Sequence, residues 1–314
     1  MTPLIVKNLN KTFVSGFWPF TATKEFNAVK NISFELNKGE VLGFLGPNGA
    51  GKTTTIQMLL GTLTPTSGEI SYFSDNFFLN RTKCLAKIGY ASGYERLPHR
   101  LSVYENLDIV GRIYGLSANT RKQQIELLLK SFDIWDKRDA ETGSLSAGQS
   151  TRVMLSKAFI ARPEIILLDE PTASLDPDIA IEVRKFILEY KKNTQSAFLI
   201  ASHNMDEVAE LCGRILVLKK GEIIANNSPA ELVKTISQTH VHLHITENLS
   251  AALEQLKHSG IIHTNLGAQI SITIDEHQVA RLLSQLASVG ANYSSISIDK
   301  PSLEDYFLSL TKKD

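Results

Sequence analysis

The chain has 314 residues but only two cysteines, Cys84 and Cys212, far apart and without a CxxC partner. A disulfide framework and a zinc site of ordinary spacing are excluded, and two reduced thiols are expected. Long apolar runs are missing too. The strongest, residues 165–168 and 197–201, fall far short of the ~20 residues that cross a bilayer. The opening MTPLIVKNLNK carries Lys7 and Lys11 where a secretory signal would be apolar, so no leader is expected. Charge of one sign is not in excess: 33 Lys and Arg balance 33 Asp and Glu. That speaks against holding nucleic acid through bulk charge. Low-complexity tracts and internal repeats are absent. What remains, 43 % hydrophobic and 21 % charged residues, is the composition of a folded chain. Its length suggests about two domains.

The apolar pattern predicts strands near 4–9, 29–36 and 41–45, the last buried on both faces because it lacks alternation. An aromatic-rich loop spans 13–26, with Phe17, Trp18 and Phe20 inside it. A turn is expected at 65–68. From about 95 to 160 the spacing turns helical, over 103–114, 121–132 and 151–161. Strands return at 165–168 and 197–201, with helices at 179–190 and 205–211. Asn204 and Glu207 have the spacing of a helix cap and its reciprocal partner. A hairpin is expected around Lys219-Lys220-Gly221. Composition shifts near Ser228-Pro229. Residues 1–230 therefore read as one α/β domain with a helical subdomain at about 95–160. Residues 238–314 read as a small C-terminal α+β domain.

Two segments carry chemistry. Gly46-Pro47-Asn48-Gly49-Ala50-Gly51-Lys52-Thr53 fits G-x-x-x-x-G-K-[ST] between a buried strand and a helix. Glycines let several N–H groups point at one phosphate, and the helix start adds its positive end. Lys52 can reach the outer phosphates, and Thr53 can offer a hydroxyl to Mg²⁺. The second segment, Ile165 to Pro171, is an apolar strand that ends in Asp169-Glu170. Asp169 can hold Mg²⁺, and Glu170 can polarise a water for attack on a γ-phosphate. A strand ending in two acids is a weak signal alone, and a strong one beside a phosphate loop.

In order along the chain, GPNGAGKTT (46–54), LSAGQ (145–149), IILLDEP (165–171), SLD (174–176) and ASH (201–203) closely resemble the nucleotide-binding subunit of ATP-binding cassette (ABC) transporters. These matches cover about residues 1–230. The tail PSLEDYFLSLT (301–311) resembles the end of the C-terminal domain in drug-resistance-type, ABC-2 exporter ATPases. The resemblance implies a phosphate-loop ATPase that binds ATP and Mg²⁺. Phe13 would stack on adenine. Residues 46–54, Gly46 through Thr54, would hold phosphates, and Thr53 and Asp169 would serve Mg²⁺. Glu170, His203 and Lys52 would be the catalytic set, with Glu170 as general base and His203 at the γ-phosphate. Two copies would face head to tail, so that Ser146 and Gly148 complete the partner's site and Asp176 lines the seam. A separate membrane permease would do the transporting, as an exporter by analogy with the tail. The protein would sit at the cytoplasmic face of the inner membrane, with no nucleic acid.

Two departures from the family pattern stand out. Ala147-Gly148 replaces the usual two glycines, which is tolerable only at negative φ. Gly93 stands where the family normally places a glutamine near Mg²⁺, with Tyr94 or Glu95 as candidate substitutes, and the departure implies slow hydrolysis or a different coupling contact. Two alternative readings are a soluble ABC ATPase acting on ribosomes or DNA, and a nucleotide-gated module with weak hydrolysis. His240, His242 and His244 alternate on a strand and so share one face. An exposed sheet face is expected there rather than a metal site.

Overall fold

The computed structural model describes residues 2–15, 24–93, 96–236 and 238–311. Phe17, Trp18 and Phe20, and Tyr94 and Glu95, lie outside the described residues. The chain divides into two compact units, Met1–Ser228 and Pro229–Asp314.

The first unit opens with strands β1 (Leu4–Ser15) and β2 (Lys24–Leu36), paired antiparallel so that Phe13 stands opposite Phe26. Both rings thus belong to strands, whereas the sequence pattern put residues 13–26 in a loop. Their pairing is invisible locally because polar residues interrupt the alternation. Strand β3 (Val41–Leu45) is buried along its whole length, and helix α1 (Lys52–Leu59) follows the glycine loop. Next come β4 (Ser67–Tyr72), β5 (Asp75–Asn76), α2 (Arg81–Leu85) and β6 (Ile88–Ser92). The expected turn at 65–68 is therefore partly strand. Gly68, at φ +105°, lies at an irregularity in the β1–β4 ladder and supplies the turn-like signal. Strand β6 reads weakly because its residues are small. A Cβ on Gly89 would lie 2.0 Å from the Ala158 carbonyl oxygen, so only glycine lets the helix that carries Ala158 pack this close.

The helical subdomain holds α3 (Val103–Ile113), α4 (Ala118–Ser131) and α5 (Ala147–Phe159). Ser102 with Glu105, and Ser146 with Gln149, form reciprocal caps that fix where α3 and α5 begin. Helix α5 thus starts four residues before the expected 151, and Gly148 lies inside its first turn rather than ahead of it. Two weak helix formers after the cap hid this start from periodicity. Ala147 has helical backbone, so its methyl replaces a glycine without strain.

Strand β7 (Ile165–Asp169), helix α6 (Pro177–Thr194), strand β8 (Ala197–Ser202), helix α7 (Met205–Leu211) and the hairpin of β9 (Arg214–Lys219) with β10 (Glu222–Asn227) complete the unit. Among the described residues, one sheet runs β10-β9-β3-β8-β7-β6, parallel except for the β10 edge. An antiparallel sheet, β2-β1-β4-β5, packs on it through Leu4, Val6, Phe34, Phe44, Ile56 and Tyr72. The Phe34 and Phe44 rings meet edge to face at 5.2 Å. The parallel order has one consequence for function. Strands β3, β8 and β7 are neighbours, so the segments leaving their C-terminal ends emerge side by side.

The second unit begins with helix α8 (Pro229–Lys234) and strand β11 (Gln238–Glu247). Helix α9 (Leu249–His258), strands β12 (Ile262–Leu266) and β13 (Gln269–Asp275), helix α10 (Val279–Ser288), strand β14 (Asn292–Asp299) and helix α11 (Leu303–Thr311) follow. The sheet order is β12-β13-β11-β14, antiparallel throughout. Val241, Leu243, Ile245, Ile270 and Ile272 bury one face against Ala252, Leu256, Leu282 and Leu286 of α9 and α10. His240, His242 and His244 do share the opposite face, but it is half-buried rather than open. His240 Nε2 lies 3.0 Å from Asp305 of α11, and His242 lies 2.7 Å from Ser271 and 3.2 Å from Asp299. Among the described residues, no three His, Cys, Asp or Glu side chains gather as a metal cluster.

Candidate active site

The glycine loop is shaped by two steric demands. Gly51 sits at φ +105°, and a Cβ there would approach the Ala28 carbonyl to 2.7 Å. A Cβ on Gly46 would lie 2.4 Å from the Leu218 carbonyl. The loop is therefore wedged between β2 and β9, and within it the Ala50 N–H donates to the Pro47 carbonyl at 3.1 Å. Lys52, the first residue of α1, is only 6 % exposed and donates to the carbonyls of Gly46 and Pro47. Burial pulls its ammonium below the ordinary lysine range, and Glu170 and Asp169 pull it back.

Strand β7 delivers Asp169 and Glu170 beside this loop. Asp169 is 1 % exposed, and both its carboxylate oxygens are buried without a hydrogen-bond partner among the described residues. Burial pushes its pKa up; the Thr53 hydroxyl and the Lys52 ammonium oppose this, and Glu170 adds to it. Glu170 is 6 % exposed and holds φ +55°, a left-handed backbone uncommon for a residue with a Cβ. That turn is fixed by its N–H, which donates to the Ala201 carbonyl at 2.8 Å. Its Oε2 lies 2.8 Å from Nδ1 of His203 and 3.4 Å from the His203 N–H. The His203 side chain itself is 61 % exposed, so it can serve the buried acid on one side and a ligand on the other.

One cleft is lined by Phe13, Phe26, Ala28, residues 47–54 and Glu170. It brings together Phe13, the phosphate loop and Glu170. Phe26, which sequence reasoning missed, adds a second ring at the cleft. Only strand pairing across the 13–26 segment could have revealed it. Ser146 and Gly148 do not line this cleft. Ser146 caps α5 as an acceptor, and its O–H can still donate. Asp176 precedes α6 with an exposed side chain that makes no cap bond. Gly93 lies beside the acidic pair: its N–H donates to the Asp169 carbonyl at 3.1 Å, and a Cβ there would lie 3.3 Å from the Glu170 carbonyl.

Asn204 caps α7, accepting from the Glu207 N–H at 3.1 Å. The reciprocal bond expected from their spacing is not made. Glu207 sends its carboxylate elsewhere, to Thr172 and Ser202.

A glycine loop, a helix start and an acidic strand end thus lie side by side, an arrangement whose donors and charges suit a phosphorylated ligand. Comparison with known proteins shows the family. The sequence profile of the family described as ABC transporter matches residues 29–173. The chain is 33 % identical to the "Uncharacterized ABC transporter ATP-binding protein YxlF" of Bacillus subtilis (strain 168), over 91 % of this chain and 95 % of that protein. It is 30 % identical to the bacitracin transport ATP-binding protein BcrA of Bacillus licheniformis, over 90 % of this chain and 92 % of that one. Its fold resembles that of the ATP-binding cassette MJ0796, solved as a dimer in a post-hydrolysis state bound to ADP and Pi. There the TM-score is 0.66 at 24 % identity, covering 72 % of this chain and 98 % of that one. The chain belongs to the ABC transporter family, as an ATP-binding subunit and an ATPase.

Proposed function

We propose that two copies of this chain bind Mg-ATP head to tail and use its hydrolysis to drive a separate membrane permease, as an exporter. The observation that carries this is the convergence of Lys52, Asp169, Glu170 and His203 at three adjacent strand ends. Amides of residues 46–53 and Lys52 bind the phosphates, and Phe13 and Phe26 offer faces to the base. The two orphaned Asp169 oxygens and the Thr53 hydroxyl fit a hard divalent cation. Thr53 and Asp169 would hold Mg²⁺, which supplies positive charge to the phosphates. Glu170 accepts the proton of the attacking water, and His203 orients Glu170 through the 2.8 Å contact and faces the γ-phosphate. Ser146 and Gly148 of a second copy close the site, as the helix start at α5 suits an anion.

The dimer is supported by the dimeric MJ0796 cassette, the transport role by BcrA, a bacitracin transport protein, and the export direction by the tail motif. Among the described residues no helix is long and apolar enough to cross a membrane, so the permease would be another chain. The protein would then work at the cytoplasmic face of the plasma membrane.

Phosphate release by the purified chain, against Glu170→Gln, tests the hydrolytic reading. Wild type is expected to be faster by about 10²–10⁴-fold. Equal rates would leave a nucleotide-gated module with feeble hydrolysis, the second reading, which Gly93 favours because it brings no side chain to the acidic pair.

A further inference from the structure

Glu207 is 1 % exposed, and neither the phosphate loop nor the cleft around it uses this residue. Its position in the first turn of α7 suggests a capping role, but Asn204 already supplies the cap. The Asn204 N–H, which a reciprocal cap would engage, donates instead to Ser202 Oγ at 3.0 Å. Glu207 spends both carboxylate oxygens on two different segments. Oε1 accepts from Thr172 Oγ1 at 2.9 Å, and Oε2 accepts from Ser202 Oγ at 2.7 Å. Thr172 is two residues past Glu170, on the segment that leads through Ser174 to Asp176. Ser202 immediately precedes His203. Thr172 and Ser202 are themselves buried, so water does not substitute for these bonds.

A buried carboxylate is costly, and an apolar side chain of similar volume would be buried there more cheaply. What the carboxylate alone offers is acceptance on both sides from two hydroxyl donors. Burial pushes its pKa up, while Ser202 and Thr172 pull it back. The ends of β7 and β8 are also joined by their parallel ladder, which pairs Asp169 with Ala201, by the Glu170 N–H to Ala201 carbonyl bond and by the contacts of His203 with Glu170; none of these reaches the segment after Glu170.

We infer that Glu207 is a positioning residue for hydrolysis: it ties the segment after Glu170 to the strand end that carries His203. The His203–Glu170 pair and the 172–176 segment then move as one piece. This rests on the reading of Glu170 as general base.

The test is steady-state ATP hydrolysis by the full chain, with a melting curve for each variant. Thr172→Val keeps the shape of the side chain and removes one hydroxyl. It is expected to lower kcat about fivefold, with KM within about twofold, and to lower the melting temperature by a few degrees, because one buried carboxylate oxygen loses its donor. Glu207→Ala is expected to lose at least about twentyfold in kcat, and Glu207→Gln, which keeps one acceptor, to recover part of it. Thr172→Val combined with Glu207→Gln should fall no further than about the worse single variant, because both break one link. If Glu207→Ala does not fold, Thr172→Val and Glu207→Gln carry the test. Wild-type kcat in both would overturn the inference, as would a raised KM at unchanged kcat. Wild type no faster than Glu170→Gln would instead overturn the reading of Glu170, and the role of Glu207 with it.

Discussion

At the scale of single residues, the site is built from groups held where they are least comfortable. Glu170 holds a left-handed backbone, Asp169 has two buried oxygens that meet no hydrogen-bond partner among the described residues, and Lys52 is an almost fully buried cation. Such strain persists only where the surroundings over-determine it, which is common at reacting centres. Gly93 is the informative exception. Its φ lies outside the left-handed region, and the space beside it is tight but not closed. Gly93→Gln is expected to fold and to raise kcat several-fold, about threefold or more, read as phosphate release at saturating ATP. An unchanged rate would mean that hydrolysis here does not lack a side chain at 93. The identities of Lys52, Asp169 and Glu170 were legible in the sequence because each sits in a short contiguous motif. Phe26, the Glu170–His203 contact and the Glu207 bonds were not, because each depends on which strands lie side by side.

At the scale of elements, caps and charge pairs set the helical subdomain. Asp108 of α3 accepts from Arg121 of α4 at 2.5 Å and from Arg112 at 2.6 Å. The Arg121 guanidinium, with Arg112 assisting against the cost of burial, holds the Asp108 carboxyl below its ordinary range. A depressed carboxyl pKa stabilises the fold above the unfolded value of about 3.9 and loses that contribution as pH falls through the folded value. Asp108→Asn is therefore expected to cost about 1–2 kcal/mol in urea unfolding at pH 7. The gap to wild type should close as pH drops below the ordinary carboxylate range. A gap independent of pH would show that shape, not charge, matters there. Helices with a clear apolar stripe, such as α3, were readable from periodicity. The start of α5 and strands β4 and β6 were not, because Gly148, Gly68 and Gly89 answer to packing and turn geometry rather than to any apolar period.

At the scale of the whole molecule, each of the two units has a core of its own among the described residues, and the cleft lined by the phosphate loop lies in the first. Ligand that binds only the folded first unit adds about 2.7 kcal/mol at a hundredfold excess over Kd. Calorimetry with Mg-ATP and Glu170→Gln should therefore show one transition raised and another unmoved. A shift of both together would show that the units unfold as one. In the second unit, the tail has a physical part to play. Asp305 uses one oxygen to accept from the Ser302 N–H and hydroxyl and the other to meet His240, fastening α11 to the sheet.

The most direct measurement is the mass of full-length Glu170→Gln protein in sedimentation equilibrium, with Mg-ATP and with Mg-ADP. A dimer with ATP, a monomer with ADP, and a monomer in both once Gly148→Asp is added are the expected results. A particle that stays monomeric at saturating ATP, or whose mass ignores the nucleotide, would contradict the shared site.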